Sequence, residues 1–124
     1  MEKRRILIVD DEEAILLAFR KLLQRPGIDV DTSENLENAK ELIEQHEYSA
    51  IIADLRLSGT LNQEGFEIIL YAKKMIPTVK IALITAYGSS GIQEKARKLG
   101  ADFYFEKPVS VKCLNTVLES IGVK

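Results

Sequence analysis

Five short apolar runs, each followed by a segment with helical spacing, divide the chain into alternating predicted strands and helices. Apolar runs of about four to eight residues rich in Ile and Val are typical of buried parallel strands. The predicted strands are residues 6–9, 28–32, 50–54, 79–84 and 102–105. The pattern therefore predicts five βα units with short connections.

The intervening segments have apolar residues three or four positions apart, which is the spacing of an amphipathic helix. Pro26-Gly27 and Pro77 are expected to end the first and third helices, and either Ser33 or Asn35 would cap the second. The predicted apolar helix positions are Ile15, Leu16, Phe19, Leu22, Leu23, Leu36, Ala39, Leu42, Ile43, Phe66, Ile69, Leu70, Ile92, Ala96, Leu99, Val111, Leu114, Val117 and Ile121.

Five βα units with right-handed crossovers place helices on both faces of a parallel sheet. The sequence therefore predicts an α/β fold, a doubly wound (βα)5 three-layer sandwich with the flavodoxin-like strand order 2-1-3-4-5. In that order the first and third strands are neighbours, and the switch point between them is where open sheets bind ligands.

Composition narrows the function classes. Hydrophobic content is 46%, charged content is 29% and net charge is −2, so nothing favours direct binding to nucleic acid. Cys113 and His46 are each the single residue of their type, which argues against disulfides and zinc; we expect Cys113 to be buried in a helix and His46 to be exposed. No apolar run approaches the roughly 20 residues of a membrane span, and no secretory segment precedes the first strand. A cytoplasmic location is expected.

Charged and hydroxyl side chains follow the predicted strands at the point where each strand ends. Asp10 and Asp11 follow the first strand, Asp54 ends the third, Thr85 follows the fourth and Lys107 comes soon after the fifth. Parallel strands bring these positions to one edge of the sheet. Adjacent carboxylates repel unless a cation joins them, and Mg²⁺ prefers such oxygen ligands. The pattern predicts a metal-assisted phosphate site in which one carboxylate could attack a phosphoryl group.

Together these residues resemble the receiver domain of response regulators, the phosphoacceptor module of two-component signalling. The resemblance covers essentially the whole chain, and we expect residues 1–124 to form one receiver domain. The motifs that carry it are Ile8-Val9-Asp10-Asp11-Glu12, Asp54, Thr85-Ala86, Gly100-Ala101-Asp102, Tyr104 and Lys107-Pro108.

The resemblance implies that Asp54 is the phosphoacceptor and that Mg²⁺ is the cofactor. Asp10, Asp11 and Asp54 would bind the ion together with the backbone carbonyl of Arg56. Lys107 would pair with the phosphoryl group.

The same resemblance assigns a switch to Thr85 and Tyr104. Thr85 would hydrogen-bond a phosphoryl oxygen, and Tyr104 would swing inward as Thr85 moves. The Lys107-Pro108 peptide bond is expected to be cis.

A sensor histidine kinase is the implied phosphoryl donor, and an output domain or effector protein is the implied target. A homodimer could form through the fourth helix, fifth strand and fifth helix. The domain would assist only its own phosphorylation and dephosphorylation. One departure from the family pattern is the loop 58–65, where Ser58 replaces the usual Pro and Gly65 comes late, so we expect a longer, more mobile loop.

Three alternatives stay open at this point. A flavodoxin-like flavin carrier shares the topology, but the acidic Asp10-Asp11-Glu12 run would repel a phosphate. A metal-dependent aspartyl phosphatase would usually carry its nucleophile on the first strand. A degenerate receiver that only binds partners would be expected to lack Asp54 or Lys107.

Overall fold

Strands and helices alternate through the whole of the chain that the computed structural model describes, residues 3–57 and 63–123. No helix in these ranges is both long enough and apolar enough to cross a bilayer. The elements are β1 (Arg4–Val9), α1 (Glu13–Leu23), β2 (Ile28–Ser33), α2 (Leu36–Gln45), β3 (Ala50–Asp54), α3 (Glu64–Met75), β4 (Lys80–Thr85), α4 (Ser90–Leu99), β5 (Phe103–Glu106) and α5 (Val111–Ser120).

The five strands form one parallel sheet in the order β2-β1-β3-β4-β5. The predicted flavodoxin-like architecture is thereby confirmed. Helices α2, α3 and α4 cover one face of the sheet, and α1 and α5 cover the other. The chain reverses its direction of winding between β1 and β3, so the crevice at their carboxyl ends is the switch point.

Alternating residues of the central strands supply the two cores. In β1, Leu7 and Val9 belong to the core under α2, α3 and α4, whereas Ile6 and Ile8 belong to the core under α1 and α5. Because both faces are covered, these strands are continuous apolar runs rather than alternating ones. Each fully buried Ile or Leu contributes about 1.5–3 kcal/mol.

The predicted apolar faces of three helices were partly wrong. Leu22, Leu70 and Val111 are exposed, although their helical neighbours Leu23 and Ile69 are buried. Leu22 and Leu70 flank a buried stripe that is narrower than the sequence suggests. Val111 is the first residue of α5, and a helical side chain points back towards the amino end, so no preceding turn covers it.

Two single residues also differ from expectation. Cys113 is half-buried rather than buried. His46 is half-buried rather than exposed, because its ring packs edge-on against Tyr48, with ring centroids 5.9 Å apart. Asn35, not Ser33, caps α2, and its side chain accepts a hydrogen bond from the Asn38 backbone N–H. Of the loop 58–65, residues 58–62 lie outside the described residues, and Glu64 and Gly65 already belong to α3.

Side chains at the carboxyl end of α1 and directly after it bind the outer edge of β2. The Gly27 and Ser33 carbonyls accept hydrogen bonds from β1 and its extension, so the carbonyls of Ile28 and Val30 between them face away from β1. The Gln24 side chain donates to the Ile28 carbonyl (2.6 Å) and Arg20 donates to the Val30 carbonyl (3.0 Å).

Candidate functional site

Two buried carboxylates stand side by side at the carboxyl ends of β1 and β3. Asp10 is 0% exposed and Asp54 is 5% exposed. Asp10 is held by its Oδ1, which accepts a hydrogen bond from the Glu12 backbone N–H (2.9 Å), and by its own backbone N–H, which donates to the Ser33 carbonyl (3.0 Å). Its orientation is therefore fixed by backbone contacts before any ligand arrives.

Lys107 places an ammonium group between the acids. Its Nζ lies 3.1 Å from Asp10 Oδ2, 3.5 Å from Asp54 Oδ2 and 3.5 Å from Glu12 Oε1. The Asp10 contact is an ion pair without the alignment of a hydrogen bond. Lys107 reaches this position because its backbone N–H donates to the Thr85 carbonyl (2.9 Å), which ties the chain after β5 to the end of β4.

The charges in this cluster do not balance. Burial raises the pKa of Asp54 to about 6, and the neighbouring Asp10 charge adds to the rise, while Lys107 offsets part of it. Burial also raises the pKa of Asp10. For Lys107, burial alone would lower the pKa, but the neighbouring Asp10, Asp54 and Glu12 together outweigh it and the pKa is raised. One ammonium is shared among several acids, which leaves an excess of negative charge for a cation to neutralise.

A group of oxygen ligands suited to a divalent ion lies at the same rim. One carboxylate oxygen from each of Asp10, Asp11 and Glu12 can lie within 4.8 Å of the others. Carboxylates are the ligands that Mg²⁺ and Ca²⁺ prefer. Glu12 was not predicted as a site residue, although it belongs to the acidic run after the first strand and contacts Lys107.

An open cleft of about 320 Å³ leads to these groups. Thr85 is buried at its side, and the Thr85 hydroxyl oxygen accepts a hydrogen bond from the Tyr87 backbone N–H (3.2 Å). The cleft thus presents carboxylates, an ammonium and a hydroxyl to one small ligand. The residues that line it are Asp11, Glu12, Asp54, Arg56, Thr85, Ala86, Tyr87 and Lys107.

The start of α3 packs directly on the backbone of Asp54. The Gly65 backbone N–H donates to the Leu55 carbonyl (2.8 Å). A Cβ at position 65 would lie 2.7 Å from both the Asp54 carbonyl oxygen and Leu55 Cα, so any side chain there would push α3 away from the site. Glycine is therefore required at position 65 by space.

Tyr104 is a predicted site residue that does not line the cleft. It lies on β5 opposite Leu83 of β4, and its hydroxyl is buried without a well-aligned hydrogen-bond partner among the described residues. Burial raises the pKa of the Tyr104 phenol, and the nearby Ser89 backbone N–H offsets part of the rise.

Two other predicted features belong to the site itself. Arg56 lines the cleft. The Lys107-Pro108 peptide bond is cis, as the resemblance implies.

Residues 6–119 match the family model described as the response regulator receiver domain. The chain belongs to this family. The match begins in β1 and ends in α5, so it includes every strand end that contributes to the cleft.

The similarity to one curated response regulator is limited to the matched region. This chain is 32% identical over 111 residues to the response regulator protein PilR of Pseudomonas aeruginosa, and the match covers 90% of this chain and 24% of PilR. The chain therefore spans about a quarter of the length of that relative.

Two solved structures resemble this receiver domain in fold. A response regulator from Burkholderia pseudomallei, solved with a phosphorylated aspartic acid, a calcium ion and citrate, has a TM-score of 0.84 and 28% identity, covering 94% of this chain and 66% of that one. The beryllofluoride-activated NtrC4 receiver domain dimer has a TM-score of 0.82 and 30% identity, covering 94% of each chain.

Proposed function

We propose that this receiver domain is a signalling switch in which Asp54 accepts a phosphoryl group from a sensor histidine kinase, with Mg²⁺ as cofactor. The observation that carries the proposal is the Lys107 ammonium, which lies 3.1 Å from Asp10 and 3.5 Å from Asp54 beside an open cleft. A buried acid pair with one shared ammonium gains from a ligand that brings further positive charge.

The transfer itself needs little from the protein beyond positioning. A carboxylate oxygen of Asp54 attacks phosphorus, the P–N bond of the kinase phosphohistidine breaks, and the imidazole leaves with the bonding electrons. Mg²⁺, when bound, would neutralise charge on the phosphoryl oxygens. Asp10, Asp11 and Asp54 with the Arg56 backbone carbonyl would hold the ion. The phosphorylated aspartic acid and calcium of the Burkholderia relative support this assignment.

Phosphorylation would then change the surface of the domain. The new anionic oxygens would recruit Lys107 and the Thr85 hydroxyl, which draws the loop after β4 towards the cleft. Tyr104 would take its inward position more often. The fraction of molecules in which the surface formed by α4, β5 and α5 has its active conformation would then rise. An output domain or effector protein in the cytoplasm would recognise that surface, without direct contact of this domain with nucleic acid or a membrane.

A second copy of this chain is another candidate for the same surface. The beryllofluoride-activated receiver dimer of the NtrC4 relative supports dimerisation as a response to phosphorylation. The domain would catalyse only the gain and loss of its own phosphoryl group.

The test is incubation with acetyl phosphate, with and without Mg²⁺, followed by intact mass spectrometry. The expected result is one phosphoryl adduct that requires Mg²⁺ and is absent from the Asp54→Asn variant. Asp29→Asn is the matched control, because it removes a carboxylate on β2 that pairs with Lys3 and Arg5 outside the cleft. It should be labelled like the unsubstituted protein.

A degenerate receiver that only binds partners is the competing function. It predicts no adduct under any of these conditions, and that result would overturn the proposal. If Asp54→Asn were labelled as strongly as the unsubstituted protein, another residue would be the phosphoacceptor.

A further inference from the structure

Gly88 lies directly against the Tyr104 hydroxyl, in the short loop between β4 and α4. A Cβ added to Gly88 would lie 2.0 Å from the Tyr104 hydroxyl oxygen and 3.1 Å from its Cζ. The same Cβ would lie 3.2 Å from Glu106 Cδ. The hydroxyl thus occupies the space that any other residue at position 88 would need for its side chain.

Space, and not backbone conformation, requires glycine at position 88. In the described residues the glycines with positive φ are Gly27, Gly100 and Gly122, so Gly88 has a φ that other residues adopt freely. A side chain at position 88 would leave the loop unstrained and would meet the end of the Tyr104 side chain instead. That end can move by rotation about χ1.

In the structure the Tyr104 hydroxyl is turned inward against Gly88, and no well-aligned hydrogen bond from the described part of the chain holds it there. The hydroxyl is buried, and the Ser89 backbone N–H lies near it without such alignment. A buried hydroxyl that is poorly hydrogen-bonded is unfavourable. Outward rotation would return the hydroxyl to water but would expose part of the ring. Because these two contributions oppose each other, a steric change at position 88 can decide between the two positions.

We propose that Gly88 is a positioning residue for Tyr104: the missing side chain admits the hydroxyl beneath the β4–α4 loop and keeps the inward position accessible. A side chain at position 88 excludes that position and turns Tyr104 outward. The consequence for signalling rests on the proposed function, because the Tyr104 position matters there through the α4, β5 and α5 surface.

The test compares Gly88→Ala with Gly91→Ala in protein labelled with ¹³C at the tyrosine ring Cε atoms. Gly91 is a matched control because a Cβ there would meet only Ser89 Oγ, at 3.8 Å. NMR line broadening by a dissolved nitroxide reports how far each ring is exposed. Tyr48, which is 2% exposed, and Tyr87, which is 70% exposed, supply the buried and exposed references.

The expected result is that broadening of the Tyr104 signal rises towards the Tyr87 value in Gly88→Ala and stays at the original value in Gly91→Ala. Unchanged broadening of Tyr104 in folded Gly88→Ala would show that the loop yields instead, and would overturn the proposal. If Gly88→Ala does not fold, the double variant with Tyr104→Phe decides, because it removes the atom at 2.0 Å. Folding of the double variant supports the steric clash, and failure of both contradicts it.

Beryllofluoride with Mg²⁺ separates this proposal from the proposed function. It should lower Tyr104 broadening in the unsubstituted protein and fail to do so in Gly88→Ala. An equal decrease in both proteins would overturn the role of Gly88. An absence of any acetyl phosphate adduct in the unsubstituted protein would overturn the phosphoacceptor function, while the nitroxide comparison would still decide the steric role of Gly88.

Discussion

Two clusters of polar side chains lie at opposite ends of the same strands, and they differ in whether their charges are satisfied. Near the amino ends of β1 and β3, Asp31 accepts hydrogen bonds from the Tyr48 hydroxyl (2.7 Å) and from Arg5 (2.9 Å). Burial raises the pKa of Asp31, but these donors outweigh burial and the pKa is lowered overall. This cluster is complete without a ligand.

The cluster at the carboxyl ends has the opposite balance. Asp54 and Asp10 share one ammonium, and burial raises the pKa of Asp54 to about 6. Both clusters consist of acids beside a cation, so composition does not separate them. The two clusters differ in the number of hydrogen-bond donors for each carboxylate. The first cluster stabilises the fold, whereas the second retains unfavourable charge that a bound cation can relieve.

Neutralising Asp54 is expected to give the largest effect on stability. Asp54→Asn should raise the free energy of unfolding at about pH 7.5 without metal by up to about 3 kcal/mol, because one pKa unit corresponds to 1.36 kcal/mol. The pKa of Asp54 is raised from 3.8 to about 6, so the folded state holds this proton more tightly than the unfolded chain, and stability falls as pH rises through that window. The gain should therefore vanish near pH 4.

Urea unfolding followed by far-ultraviolet circular dichroism, in the presence of a chelator, measures this difference. A variant that is less stable than the unsubstituted protein at about pH 7.5 would contradict the contrast between the two clusters.

Mg²⁺ is expected to act on only one of the clusters. At about 100 times its dissociation constant, a ligand that binds only the folded state stabilises it by about 2.7 kcal/mol. The unsubstituted protein and Asp31→Asn should both gain this stability, whereas Asp54→Asn should gain much less. Urea midpoints across a Mg²⁺ titration measure the gain, and equal gains in all three proteins would place the ion elsewhere.

Removing one donor from the complete cluster should give the smallest effect. Tyr48→Phe should lower the free energy of unfolding by about 1–2 kcal/mol, because Asp31 loses a buried hydrogen bond. Tyr71→Phe is the control: its hydroxyl contacts Glu44 at an exposed site, so the change should stay within about 0.5 kcal/mol. Asp31 has a lowered pKa, so its contribution exists above its ordinary pKa and is lost as pH falls through the folded value.

The Tyr48→Phe penalty should accordingly shrink in acid. A penalty equal to that of Tyr71→Phe at neutral pH would mean that the Asp31 cluster is not stabilised by its donors.

The fold was predictable because the information lies in local runs of sequence. The 50–54 run is apolar at four successive positions and ends in an acid, which specifies a central parallel strand and where it stops. The convergence of Asp10, Asp54 and Lys107 then follows from topology. Periodicity gives the direction of a side chain around a helix axis but not the residue at which the helix begins. The prediction for Val111, the first residue of α5, was therefore wrong.

Contacts that depend on loop conformation could not be predicted from the sequence. Glu12 joins Lys107 because the chain turns after β1, and nothing in the pattern gives that turn. The Gly88 and Tyr104 contact joins positions on different elements through one ring orientation. The functional roles assigned to the site residues all stay predictions; these residues are Asp10, Asp11, Asp54, Arg56, Thr85, Tyr104 and Lys107.

The donors that Arg20 and Gln24 direct at β2 have a consequence for how copies of this protein can meet. An exposed strand edge invites another strand to add to the sheet, the first step of many aggregates. Here two outward carbonyls of that edge are already hydrogen-bonded by side chains of the same molecule. A strand that adds to β2 would compete with both bonds, so this edge of the sheet is less open to strand addition.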